Sequence, residues 1–187
     1  NTYQLSIAGA NPLIAIEGNK INFLKCLVVK EMLGFACDFK LGDFTLYLES
    51  AEKSFDLIFA SGVLYHQINP LGFLKACSEK TDKLFIWTHY YDPTLLTDSR
   101  NGKHFSNIDI LPVDKYGFRC SLYPRSYNFS DEGPPDLFSG GFHDFAYWMK
   151  FDDIVGFLRH LGFSIINVRS KGEHPAGPIT SLLALRK

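Results

Sequence analysis

The chain has 187 residues, 46% of them hydrophobic and 21% charged, with a net charge of −1. That is enough for one domain with a real core, and the near-neutral charge leaves no electrostatic footprint for nucleic acid or an anionic membrane surface. The longest apolar runs fall far short of the roughly 20 residues that a membrane helix needs, so no membrane span is expected.

In chain order, Thr2–Ala8 reads as helix and Leu13–Glu17 as a short apolar strand following Asn11-Pro12. Lys20–Leu33 reads as a helix. Phe23, Leu24, Leu27, Val28 and Met32 keep an apolar face at i, i+3, i+4 spacing, and Gly34 suits its C-cap. Ala36–Leu41 is a strand ending at Gly42-Asp43-Phe44, with a short helix or turn over Thr45–Ser50. Leu57–Ala60 is near-continuously apolar, the pattern of a strand buried on both faces in a parallel sheet. Pro70–Glu79 is a helix with Pro near its first turn, and Lys83–Thr88 is the next strand. Phe151–Leu161 is a helix ended by Gly162. Phe163–Arg169 and Ile179–Leu185 are two further strands. This βαβα order predicts an α/β fold with a doubly wound, mostly parallel sheet and right-handed crossovers. The four cysteines, Cys26, Cys37, Cys77 and Cys120, form no C-x-x-C pair, and a reduced cytoplasmic chain is the simplest reading.

Tyr90–Trp148 breaks the rhythm. It shows no clean period and is punctuated by Pro93, Pro112, Pro124, Gly133-Pro134-Pro135 and Gly140-Gly141, yet carries 13 of the 28 aromatic residues. Long connections of this kind are usually functional, and its aromatic content argues against disorder. Because it leaves the sheet at a strand's carboxyl end, residues 90–148 are expected to form an insertion over the ligand face. Tyr123, Tyr127, Phe142 and Trp148 would then face an apolar, water-excluding substrate pocket, one suited to a small molecule. Arg100, Lys103, Arg119 and Arg125 could bind an anionic substrate or solvate this insertion, and solvation is the simpler reading.

Two features point to a cofactor. Glu17 ends the Leu13–Glu17 strand and precedes Gly18-Asn19, the position of the acid that binds ribose hydroxyls about 20 residues after a glycine-rich loop. Counting back places that loop before Asn1, so a first strand and its glycine motif are expected upstream, in one domain spanning 1–187 and completed by them. The run Phe55-Asp-Leu-Ile-Phe-Ala-Ser-Gly-Val-Leu-Tyr-His66 is an apolar strand opening into a small-residue turn. In an open α/β sheet, strand carboxyl ends are where ligands bind, which brings Ser61, Gly62, Tyr65 and His66 to the site. His66 and His89 both follow strand ends, where an imidazole could serve as a base near neutral pH. His143-Asp144 with His89 and Asp92 lacks the tight spacing of a metal motif, so no metal site is expected.

The stretch "FDLIFASGVLYH..NP" resembles the fourth strand and following loop of class I S-adenosylmethionine-dependent methyltransferases. The resemblance covers most of the chain apart from the aromatic insertion. It implies S-adenosylmethionine as cofactor, Glu17 on the ribose, Asp43 and Phe44 at the adenine, and Ser61-Gly62 beside the methionine part. It also implies an antiparallel last strand. The "GVLYH..NP" loop is most similar to tRNA wobble-uridine carboxymethyl-group transferases and to small-molecule methyltransferases near them, so an RNA acceptor stays open beside the small molecule. The rival readings are a nicotinamide-dependent oxidoreductase, which would end in a parallel strand, and a non-catalytic binding or scaffold domain. Acceptor and oligomeric state are not legible.

Overall fold

The structure, a computed structural model, describes residues 1–97, 99–105, 109–127 and 143–187. These fall into two compact units, one over Asn1–Ser50 and one running from Ala51 to Lys187.

In the first unit, helix α1 (Thr2–Ile7) precedes strand β1 (Ile14–Glu17), helix α2 (Lys20–Leu33), strand β2 (Asp38–Leu41) and helix α3 (Phe44–Ser50). β1 and β2 pair in parallel, Ile14 opposite Asp38 and Glu17 opposite Leu41, so both carboxyl ends lie on one edge. α2 starts where the Asn19 side chain accepts from the amides of Ile21 and Asn22, and ends at Gly34 in the left-handed region (φ 63°). The expected apolar face is not the one that packs. Leu24, Val28 and Met32 are exposed, while Phe23, Cys26 and Lys30 are half-buried. Two strands offer a narrow surface, and one stripe of the helix covers it.

The second unit holds β3 (Ile58–Ser61), a 3₁₀ turn over Leu64–His66, α4 (Pro70–Ser78), β4 (Lys83–His89), α5 (Pro93–Leu96), a 3₁₀ turn over Gly102–Phe105, β5 (Leu111–Lys115), β6 (Phe118–Ser126), β7 (Phe145–Trp148), α6 (Phe151–His160), β8 (Ile165–Gly172) and β9 (Ile179–Leu185). One sheet runs β3-β4-β9-β8. β3 and β4 are parallel, whereas β9 enters antiparallel to β4 and β8 antiparallel to β9. α4 is buried along nearly its whole length, with Leu71, Leu74 and Cys77 fully enclosed. α6 buries Ile154, Phe157 and Leu158 at i, i+3, i+4 spacing, with Asp152 and Asp153 in its first turn and Arg159 and His160 in its last, matching its dipole.

Within the segment that shows no period in sequence, the described residues include an antiparallel sheet, β5-β6-β7. β5 and β6 turn through Tyr116 (φ 56°) and Gly117 (φ 72°), both left-handed as in a type I′ hairpin. Alternation gives this sheet two working faces. Phe118, Cys120 and Leu122 lie on one face, where Phe118 packs on Phe157 of α6 at 5.1 Å between ring centres. Tyr123 and Arg125 lie on the other, with Trp148 directly across the ladder from Tyr123, and Tyr127 follows on that side. All four are buried.

Candidate functional site

In the first unit the strand ends carry Glu17 and Gly42-Asp43. Glu17 Oε1 accepts from the Asn19 amide at 2.8 Å, which holds the carboxylate at the turn. Asp43 Oδ1 accepts from the amides of Thr45 (2.7 Å) and Leu46 (3.1 Å), so it caps α3, and Phe44 beside it is half-buried. Gly42 and Asp43, with Ile16, Leu41, Leu46 and Tyr47, border an open groove of about 570 Å³.

In the second unit Ser61 ends β3. Gly62 follows in the left-handed region (φ 76°), its amide donating to the Trp87 carbonyl at 2.9 Å. A side chain there would be strained by the backbone itself, which explains the glycine. The turn then presents Tyr65 and His66 beside the end of β4, in a cluster of rings. Tyr65 lies 4.1 Å from His66 and 4.8 Å from His89, edge-on to the latter. His89 stacks on Trp148 at 5.2 Å with 13° between planes, and Trp87 stands 5.6 Å from His89. The Tyr127 hydroxyl and His66 Nδ1 form a short 2.5 Å hydrogen bond. The β6-β7 face therefore closes over Tyr65, His66 and His89, and the Tyr147 amide ties it to the Gln67 carbonyl at 2.9 Å.

Both imidazoles are neutral at pH 7. Burial, then the charge of Arg125 and the nearness of His89, holds His66 down to about 3. Burial also holds His89 down to about 4, against the opposing pull of the Pro178 carbonyl. His89 Nδ1–H donates to that carbonyl at 3.1 Å, which leaves Nε2 as its lone-pair face. Burial pushes the Tyr65 hydroxyl up, with Arg125 opposing. A base with so low a conjugate-acid pKa takes a proton poorly, so these rings serve as hydrogen-bonding groups more than as proton acceptors.

The residues singled out from sequence thus fall into two sets. Glu17, Asp43 and Phe44 belong to the first unit; Ser61, Gly62, Tyr65, His66, His89, Tyr123, Tyr127 and Trp148 belong to the second. Phe142 lies outside the described residues. Tyr123 packs with Leu96, Phe105 and Trp148 as core and stacks on Tyr91 at 3.6 Å. Asp92 caps α5 by accepting from the Thr94 amide at 3.0 Å, His143 is exposed, and among the described residues no group of three His, Cys, Asp or Glu could hold a metal ion.

Sequence reasoning mistook Arg125 for a solvated residue. It is 6% exposed, with its guanidinium carbon 4.1 Å over the Tyr127 ring. Its Nε and Nη2 donate to Asn101 Oδ1 at 3.3 and 2.9 Å, and Asn101 Nδ2 donates to the Ala176 carbonyl at 2.5 Å. The usable signal was the period-2 series Tyr123-Arg125-Tyr127, which places an arginine on an aromatic strand face. Trp148 Nε1 is buried with no hydrogen-bond partner among the described residues. An unmet buried donor of this kind costs about 1–3 kcal/mol.

This architecture is similar to that of S-adenosylmethionine-dependent methyltransferases of known structure. The N-terminal domain of EvdMO1, solved with S-adenosylhomocysteine bound, matches with a TM-score of 0.72 at 18% identity, over 100% of this chain and 69% of that one. A S-adenosylmethionine-dependent methyltransferase from Clostridium acetobutylicum matches at 0.59 and 14% identity, over 100% and 79%. Magnesium protoporphyrin IX methyltransferase from Synechocystis matches at 0.57 and 14%, over 100% and 68%. No family model and no curated protein matches the chain. The fold is therefore the Rossmann-like fold of class I methyltransferases, and it is the fold that these likenesses establish.

Proposed function

We propose that the protein transfers the methyl group of S-adenosylmethionine to a small-molecule acceptor. The observation that carries this reading is the series at the carboxyl ends of β1, β2 and β3: Glu17, then Gly42-Asp43, then Ser61-Gly62, in a chain with the methyltransferase fold. In this reading Glu17 binds the ribose hydroxyls, Asp43 and Phe44 serve the adenine, and Ser61 and Gly62 border the methionine part. Gly62 fits that role because its backbone is bare and left-handed, so a ligand can approach it closely. The antiparallel entry of β9 beside β4 favours this reading over a nicotinamide-dependent oxidoreductase.

When bound, the cofactor supplies a methyl group on a positively charged sulfur. The chain's own part is to align the acceptor and exclude water. Tyr65, Tyr127 and Trp148, with Tyr123 behind them, make an aromatic wall. His66 and His89, neutral at pH 7, orient the acceptor through their ring nitrogens. The free thiols fit a cytoplasmic setting. Calorimetry on the full-length protein tests the reading: S-adenosylmethionine and S-adenosylhomocysteine should both bind, and no heat at millimolar ligand would end it.

A further inference from the structure

Helix α2 is covered along one stripe, and the pattern on its uncovered side is its own complement. Phe23, Cys26 and Lys30 form the half-buried stripe of the helix, whereas Lys20, Leu24, Leu27 and Glu31 are all exposed, Leu24 at 55% and Leu27 at 37%. Their spacing, i, i+4, i+7 and i+11, is that of a seam along which two helices pack. Val28 and Met32, 57% and 78% exposed, widen it on one flank. A helix that is apolar around most of its circumference is normally buried, so this seam calls for a cover.

The charges identify the cover. Lys20 opens the helix and Glu31 lies in its last turn, each at the end where the helix's own dipole disfavours it. Neither is in an ion pair among the described residues. From start to end the seam is positive, apolar, apolar, negative. Turned about a two-fold axis between Lys25 and Cys26, it becomes negative, apolar, apolar, positive. Lys20 then faces Glu31 of the second copy and Leu24 faces Leu27 of the second copy, and symmetry makes each pair twice. Antiparallel pairing also sets Lys20 beside the second copy's helix C-terminus and Glu31 beside its N-terminus, so both charges meet the dipole end that favours them. An unrelated partner would need this pattern reversed, and a second copy supplies it by symmetry.

We propose that α2 is a self-association surface, and that the full-length protein forms a two-fold dimer through antiparallel α2 helices. The proposal does not depend on the methyl-transfer reading. One 14-residue helix from each copy falls short of the roughly 20–30 residues a side of a standard interface, so the dimer should be weak, with a micromolar dissociation constant.

Sedimentation velocity on the full-length protein over a concentration series tests this. The protein should pass from monomer to dimer through the micromolar range, and added salt should weaken the dimer. Lys20→Glu makes both ends of the seam negative and Glu31→Lys makes both positive, so each variant alone should associate about tenfold or more weakly. Each substitution also places a charge that suits the dipole at its own helix end, so neither should lower the melting temperature. Mixed in equal amounts, the two variants should pair with one another, because each seam then meets its opposite. A full-length protein that stays monomeric throughout the series, a dimer that ignores both charge reversals, or variants that fail to pair when mixed would overturn the proposal.

Discussion

The two buried imidazoles make acid stability a measurable consequence of the site. Unfolded, His66 and His89 titrate with an ordinary pKa of 6.5; folded, they titrate at about 3 and about 4. A group whose folded pKa is depressed contributes stability above its unfolded pKa and loses it as pH falls toward the folded value. Here the loss opens below pH 6.5 and runs to between 3 and 4. Integrating the linkage relation from pH 7 to pH 5, each histidine costs the fold about 2 kcal/mol, or roughly 4 kcal/mol together. Asp153 is raised by burial, so it acts in the opposite sense, and Asp92 is lowered, so it loses stability only in the carboxylate range. Urea unfolding at pH 7, 6 and 5, followed by tryptophan fluorescence, checks this. His89→Asn, whose amide can still donate to the Pro178 carbonyl, should remove about half of the pH dependence. If unfolding at pH 5 takes up no more protons than at pH 7, or if His89→Asn leaves the slope unchanged, the histidines are not buried as neutral rings.

Other substitutions separate structure from site. Glu17→Ala should weaken S-adenosylhomocysteine binding by about 1–3 kcal/mol in calorimetry while barely moving the ligand-free melting temperature; the reverse pattern would make Glu17 structural. Gly102→Ala would set its new methyl 2.1 Å from the Leu96 carbonyl oxygen, a backbone atom, and should cost about 1–3 kcal/mol or more by chemical denaturation. Gly72→Ala meets only the Asn69 capping side chain, which can swing away, so its cost should stay near the roughly 1 kcal/mol of a lost cap. Phe157→Ala empties a fully buried position between α6 and β6 and should cost about 3–5 kcal/mol.

The parallel elements were legible because their burial is written as local pattern. Ile14–Glu17, Ile58–Ser61 and Lys83–His89 are short apolar runs ended by small or polar turns, and α6 shows its buried stripe at helical spacing. The β5-β6-β7 sheet was not legible, for three physical reasons. Pro124 sits in the central strand, where a missing amide normally argues against a ladder, and Pro112 sits in β5. The tight turn is Tyr116-Gly117 instead of the usual Asn-Gly, a choice supported by packing outside the hairpin: His160 meets the Tyr116 carbonyl at 2.8 Å, and the Lys75 ammonium lies over its ring. β6 is buried on both faces, so its polar–apolar alternation is blurred.

The places of the candidate residues were legible at the strand ends of the second unit and illegible in the β6-β7 wall beside them, and the difference follows from how each is held. Ser61, Gly62 and His89 inherit their place from strands whose neighbours are set by α/β topology, so chain order alone brings them together. Arg125, Asn101 and Tyr127 are placed by contacts across long sequence separations, from Asn101 to Ala176 and from His66 to Tyr127, which no local pattern encodes. Charge counting misled in the same way. An arginine in a Pro/Gly-rich insertion of a near-neutral chain reads as solvation, yet alternation with Tyr123 and Tyr127 carries it to the inner face. The strand ends are common to a fold that serves many reactions. What distinguishes this chain is the part held by long-range contacts, where the β6-β7 face brings Tyr127 and Trp148 against His66 and His89.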